Sequence, residues 1–113
     1  MSKIVHVIKE VLENENFRKV LCTGEKSQLV AMSIPSGGEI GEETHDHVEQ
    51  TLYFHAGDGE AVLDGVSSPL RAGDVLVVTP GTRHNVKCTG AEPLKIATVY
   101  APPNHIDGRI HAT

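Results

Sequence analysis

From Gly41 to Gly59 the chain reads G-E-E-T-H-D-H-V-E-Q-T-L-Y-F-H-A-G-D-G. His45 and His47 sit two residues apart. On an extended backbone, where side chains alternate between faces, both imidazoles point to one side. Two nitrogens converging in this way supply half the ligands of a Zn, Fe, Mn, Ni or Cu ion, and the carboxylate of Glu49 and the amide of Gln50 follow at once. An isolated H-x-H also arises by chance in solvated acidic turns. The sequence around it has to decide between a ligand pair and a turn.

With 113 residues, 39% of them hydrophobic and 22% charged, the sequence reads as one domain over residues 1–113, apolar enough for one core. Fifteen acids against ten Lys plus Arg give a net charge of −5. There is no basic cluster to neutralise a run of phosphates, so nucleic acid is not an expected partner. The opening M-S-K-I-V-H-V-I-K-E holds no apolar run of signal-peptide length, and no stretch approaches the roughly 20 apolar residues that span a bilayer. The expectation is a cytoplasmic protein with no membrane partner. Cys22 and Cys88 form no C-x-x-C pair and are expected to be buried free thiols.

Ile4, Val5, Ile8, Val11 and Leu12 fit one apolar helical face within residues 1–16, although the β-branched start leaves helix or strand open there. F-R-K-V-L-C-T and Q-L-V-A-M-S-I are short apolar runs closed by Gly24 and by P-S-G-G, the signature of strands. T-L-Y-F-H-A and E-A-V-L continue the pattern, and S-S-P-L-R-A-G-D leads into V-L-V-V. T-P-G-T then turns the chain into R-H-N-V-K-C, and T-G-A-E-P turns it into L-K-I-A-T-V-Y. Short strands with a turn about every eight to twelve residues predict an all-β sandwich or barrel over residues 17–101. Residues 102–113 are rich in breakers and read as an extended arm over the surface. Val75 to Val78 is apolar on both faces and Leu29 to Ile34 nearly so, which calls for a covered outer face. A homodimer packing sheet on sheet is the expected cover, with the amino-terminal segment or the tail as the alternative.

A third histidine, His84, stands in G-D-V-L-V-V-T-P-G-T-R-H-N-V-K-C. With the first stretch it resembles the two motifs of the cupin family, G-x5-H-x-H-x3–4-E-x6-G and G-x5-P-x-G-x2-H-x3-N. The resemblance spans Ile34 to Tyr100 and implies a double-sheet jelly roll holding one divalent transition metal (Fe, Mn, Ni, Cu or Zn) inside the barrel. Carried over residue by residue, it makes His45, His47 and His84 ligands. For the fourth, the family's spacing back from Gly57 lands on Gln50, and parity supports it: Gln50, Leu52, Phe54 and Ala56 share one face, and Glu49, Thr51, Tyr53 and His55 the other. A strand unbroken from His45 would instead bring Glu49 to the histidine face, and both registers stay open. The motif departs in three places: no glycine lies six before His45, Thr79 replaces a proline, and Cys88 replaces the final asparagine. Cys88 lies about 13 Å along the strand from His84 and is core rather than ligand.

The resemblance implies a site that binds a small oxygen-bearing molecule. Three His and an amide carry less negative charge than three His and a carboxylate, so the metal keeps more Lewis acidity. A dioxygenase with Fe, Mn, Ni or Cu is the leading expectation. An isomerase or decarboxylase with Zn or Mn, a non-catalytic small-molecule or metal-binding module, and a structural metal domain are the alternatives. Glu49 is the one carboxylate in reach for proton transfer, since Tyr53 faces away. Met32, Leu52, Phe54, Val86 and Thr98 are expected to wall a small, mostly apolar pocket with no evident Arg or Lys clamp for a phosphate. His6, His55, His105 and His111 match no ligand position and are expected on the surface or at an interface, as is Arg83.

Overall fold

The computed structural model describes residues 2–105 and 110–112. One short helix, α1 (Val7–Glu13), precedes nine strands: β1 (Arg18–Thr23), β2 (Gln28–Ile34), β3 (Glu49–Ala56), β4 (Asp58–Leu63), β5 (Val66–Arg71), β6 (Val75–Val78), β7 (His84–Cys88), β8 (Leu94–Ala101) and β9 (Ile110–His111). They form a six-stranded sheet in the order β6-β3-β8-β2-β1-β9 and a three-stranded sheet in the order β5-β4-β7, with every pair antiparallel. This is the double-sheet barrel that the strand pattern predicts.

The inner faces of the two sheets meet in one core built on alternation. Met32, Ile34, Leu52, Phe54, Val86, Leu94 and Ile96 are buried in it, and Cys88 joins them on the inner face of β7. Both cysteines are free, Cys88 buried and Cys22 half-buried. In β3 the residues Gln50, Leu52 and Phe54 are buried while Glu49 and Tyr53 are exposed, and a bulge between Phe54 and Ala56 ends the alternation. The chain changes sheets at Gly57, whose φ of 95° suits glycine, and a Cβ there would stand 2.7 Å from the Pro93 carbonyl oxygen.

One element settles a reading the sequence left open, and two depart from it. The amino-terminal segment is helical over α1, and Val7 and Val11 pack on Ala31 and Ala97, which pair across β2 and β8. Seven residues make too short a helix to hold its shape in water, so this packing on a seat of small side chains sustains it. The helix is thus one cover of the outer face, while Tyr53, Val75 and Val77 remain about half exposed at 44%, 51% and 52%. Val66–Arg71 is a strand even though its only buried residue is Leu70. It forms the edge of the small sheet, where Pro69, opposite Glu60, need not donate to a ladder. The tail is more than a surface arm: Ile110 and His111 pair with Lys19 and Arg18, and buried Gln28 accepts the backbone N–H groups of Asn104 and His105. Among the described residues no helix is long and apolar enough to cross a membrane.

Candidate metal centre

The turn Thr79–Thr82 sets the site. Thr82 N–H donates to the Thr79 carbonyl, Pro80 supplies a fixed φ, and Gly81 takes φ 86°, the value the third residue of a type II turn requires. Gly81 N–H then donates to the His45 carbonyl at 2.8 Å, and Glu43 and His84 exchange both backbone hydrogen bonds at 2.8 Å. The two histidine stretches are therefore stitched side by side. Buried Asn85 anchors the incoming loop, its Oδ1 accepting the Gly41 N–H at 2.9 Å.

His45 and His47 do not share an extended strand. Beyond His45 the chain bends at Asp46 and His47 to cross from β7 to the other sheet, and β3 begins at Glu49. Period-two alternation lapses in that bend, leaving His45 half-buried and His47 exposed. The ring of His45 lies 5.4 Å from that of buried His84 and 6.3 Å from that of buried Tyr100, and His47 is outside this ring cluster.

The tautomers follow from the partners. His84 Nδ1 is 3.0 Å from the Thr82 carbonyl oxygen, which only accepts, so Nδ1 carries the proton and Nε2 keeps its lone pair. His45 Nε2 is 3.1 Å from Glu43 Oε2, and in the neutral ring this leaves the lone pair on Nδ1. Gln50 sits opposite Val78 on one side and Tyr100 on the other. Its Nε2 donates to Thr98 Oγ1 at 3.1 Å, and its buried Oε1 has no hydrogen-bond partner among the described residues. Tyr100 lies beside the Thr98 and Arg18 side chains, and burial pushes its phenol up to about 12.

The model for the cupin domain matches residues 30–100, well over half of the chain. This chain belongs to the cupin family. The Bacillus halodurans protein BH2720, of known crystal structure, superposes with a TM-score of 0.97 at 34% identity, covering 100% of this chain and 90% of that one. The uncharacterized Bacillus subtilis protein YrkC is 36% identical over 97% of this cupin, which spans 62% of YrkC's length. The oxalate-binding protein of Thermotoga maritima is 31% identical over 66% of this chain and 62% of its own.

Among the described residues, no three His, Cys, Asp or Glu side chains are gathered to hold a metal ion. The donors that the described residues do offer are mixed in type. His84 offers a lone-pair nitrogen with its ring fixed, His45 stands beside it, and Gln50 offers an unsatisfied amide oxygen. Imidazole nitrogen with one neutral oxygen suits a divalent transition metal. Glu49, the other candidate, is exposed.

Sequence reasoning missed three members of the cluster. Glu43 was readable as an acid two residues before His45, and Tyr100 as the parity partner of Thr98. His105 was not readable: it reaches the edge of the Tyr100 ring, at 4.7 Å, through the path of the tail, and no local pattern encodes that path. Met32, Leu52, Phe54, Val86 and Thr98, expected as pocket walls, are all buried inside the barrel. His6 is exposed, His55 is half-buried, and half-buried His111 lies against Arg18.

Proposed function

We propose that this cupin is a metal-dependent enzyme acting on a small oxygen-bearing molecule, with one divalent transition metal held by His45, His47, His84 and Gln50. The observation that carries this reading is the buried, unpartnered Oε1 of Gln50. Leaving such an acceptor unsatisfied costs about 1–3 kcal/mol, and a cation in front of it offsets that cost. Bound there, Fe, Mn, Ni or Cu supplies dioxygen activation, and Zn or Mn supplies Lewis acidity toward a carbonyl.

The chain's own groups prepare the ligands and receive the substrate. The Thr82 carbonyl holds the His84 ring, and Glu43 holds that of His45. The exposed His47 joins by turning in from its bend. The Tyr100 hydroxyl, kept protonated by burial, is available as a hydrogen-bond donor to a substrate oxygen. Dioxygenase-like chemistry is the first reading. A decarboxylase-like reaction is the second, favoured by the likeness to an oxalate-binding protein. The half-exposed Tyr53, Val75 and Val77 support a homodimer formed on that face.

The test is turnover by protein purified with its own metal. Dioxygen uptake with small enediols or catechols supports the first reading, and carbon dioxide release from oxalate without uptake supports the second. If neither reaction exceeds that of a His45→Ala, His84→Ala variant across such a panel, the enzyme reading fails and a binding module remains.

A further inference from the structure

Arg18 lies two residues before Val20 on β1, and Val20 belongs to the barrel core, so the two side chains share the inner face. Its Nη1 meets His111 Nδ1 at 3.0 Å, its guanidinium carbon lies 5.1 Å from the Phe17 ring centre, and it stands beside the Tyr100 hydroxyl. The Nε of Arg18 is buried and has no hydrogen-bond partner among the described residues. Nor does a described carboxylate neutralise it: the acids in ion pairs are taken by Lys9, Lys19, His45 and Arg83. A guanidinium stays charged at any working pH. Held partly out of water with no counter-ion and an idle donor among the described residues, it is unfavourable until an anion arrives.

The position of this cation gives the anion a role. The Tyr100 ring stands beside Arg18 and has its centre 6.3 Å from that of the His45 ring, and His45 in turn neighbours His84. Phe17 and His111 hold the guanidinium from two other sides. We propose that Arg18, with Tyr100 beside it, is the carboxylate-binding end of the site, so that the ligand is a small carboxylic acid. Its carboxylate bonds Arg18 Nε, and its remaining oxygen atoms face His45 and His84. This rests on the functional reading above for the far end of the ligand, but Arg18 itself is not a metal ligand. Planar, fork-like donors of arginine match a carboxylate, whereas a lysine at the same place offers only a point charge.

The experiment compares malonate with its neutral diamide, malonamide, by calorimetry on the full chain, with metal content measured in each sample. The parent protein binds malonate at least about tenfold more tightly than malonamide, the margin expected of one charge-assisted pair. In Arg18→Met that preference falls toward unity while the metal content stays at the parent level. Arg18→Lys, which keeps the charge and most of the packing but lacks the Nε donor, also weakens malonate binding and serves if the methionine variant does not fold. Equal binding of the two probes by the parent, or full preference retained in either variant, overturns the assignment. A parent that carries no metal yet discriminates through Arg18 leaves this inference standing and sinks the metal reading instead.

Discussion

Gln50 and Thr98 meet diagonally across β3 and β8, Gln50 Nε2 donating to Thr98 Oγ1 at 3.1 Å, and this one bond leaves Gln50 Oε1 buried and idle. A side-chain amide with one end satisfied and the other stranded inside a barrel is unfavourable for folding alone. It makes sense as a ligand in waiting. Exchange of Gln50 for methionine, similar in length and free of the stranded oxygen, therefore separates stability from metal binding. Gln50→Met leaves the chelator-treated protein as stable as the parent, or more stable by about 1 kcal/mol, while metal retention falls. Thermal unfolding paired with metal analysis checks both halves.

Glu49 supplies the matching control. It is exposed at the start of β3, on the opposite face from Gln50. Glu49→Gln leaves metal content unchanged, whereas loss of metal in that variant would show that the strand register at the site differs.

Tyr100 predicts an alkaline limb of stability. Burial pushes its phenol up to about 12 from an ordinary 10.0. The folded chain therefore keeps the proton where the unfolded chain has lost it. The contribution is full below the unfolded value of 10.0 and is lost between there and about 12, at a slope near 1.4 kcal/mol per pH unit. Urea unfolding of the chelator-treated protein, repeated across that range, shows the decline in the parent and a shallower one in Tyr100→Phe.

The face carrying Tyr53, Val75 and Val77 predicts self-association. Sedimentation of the parent gives a dimer, and Val75→Lys with Val77→Lys shifts it to monomer without loss of the fold, because both side chains already stand half in water. A monomeric parent would remove the dimer from the account.

Much of this was legible in the sequence because alternation is local. Gln50, Leu52 and Phe54 declared the inner face of β3, and the T-P-G-T turn declared the approach to His84. What the sequence concealed was non-local. Strand β5 carries one buried residue and a proline, so it lacks the period-two signal that its edge position makes unnecessary. The bend at Asp46 and His47 answers to the crossing between sheets, which no neighbouring residue announces. Arg18 lies far along the chain from Tyr100, His105 and His111, and it meets them only because β9 closes on β1 and Gln28 holds the tail.

Elemental analysis of untagged protein, purified without added metal, tests the central claim most directly. Near-stoichiometric Fe, Mn, Ni, Cu or Zn is expected in the parent, and its loss in a folded His45→Ala, His84→Ala variant. A parent that holds no metal even after incubation with each ion, or a variant that retains it, would contradict the account.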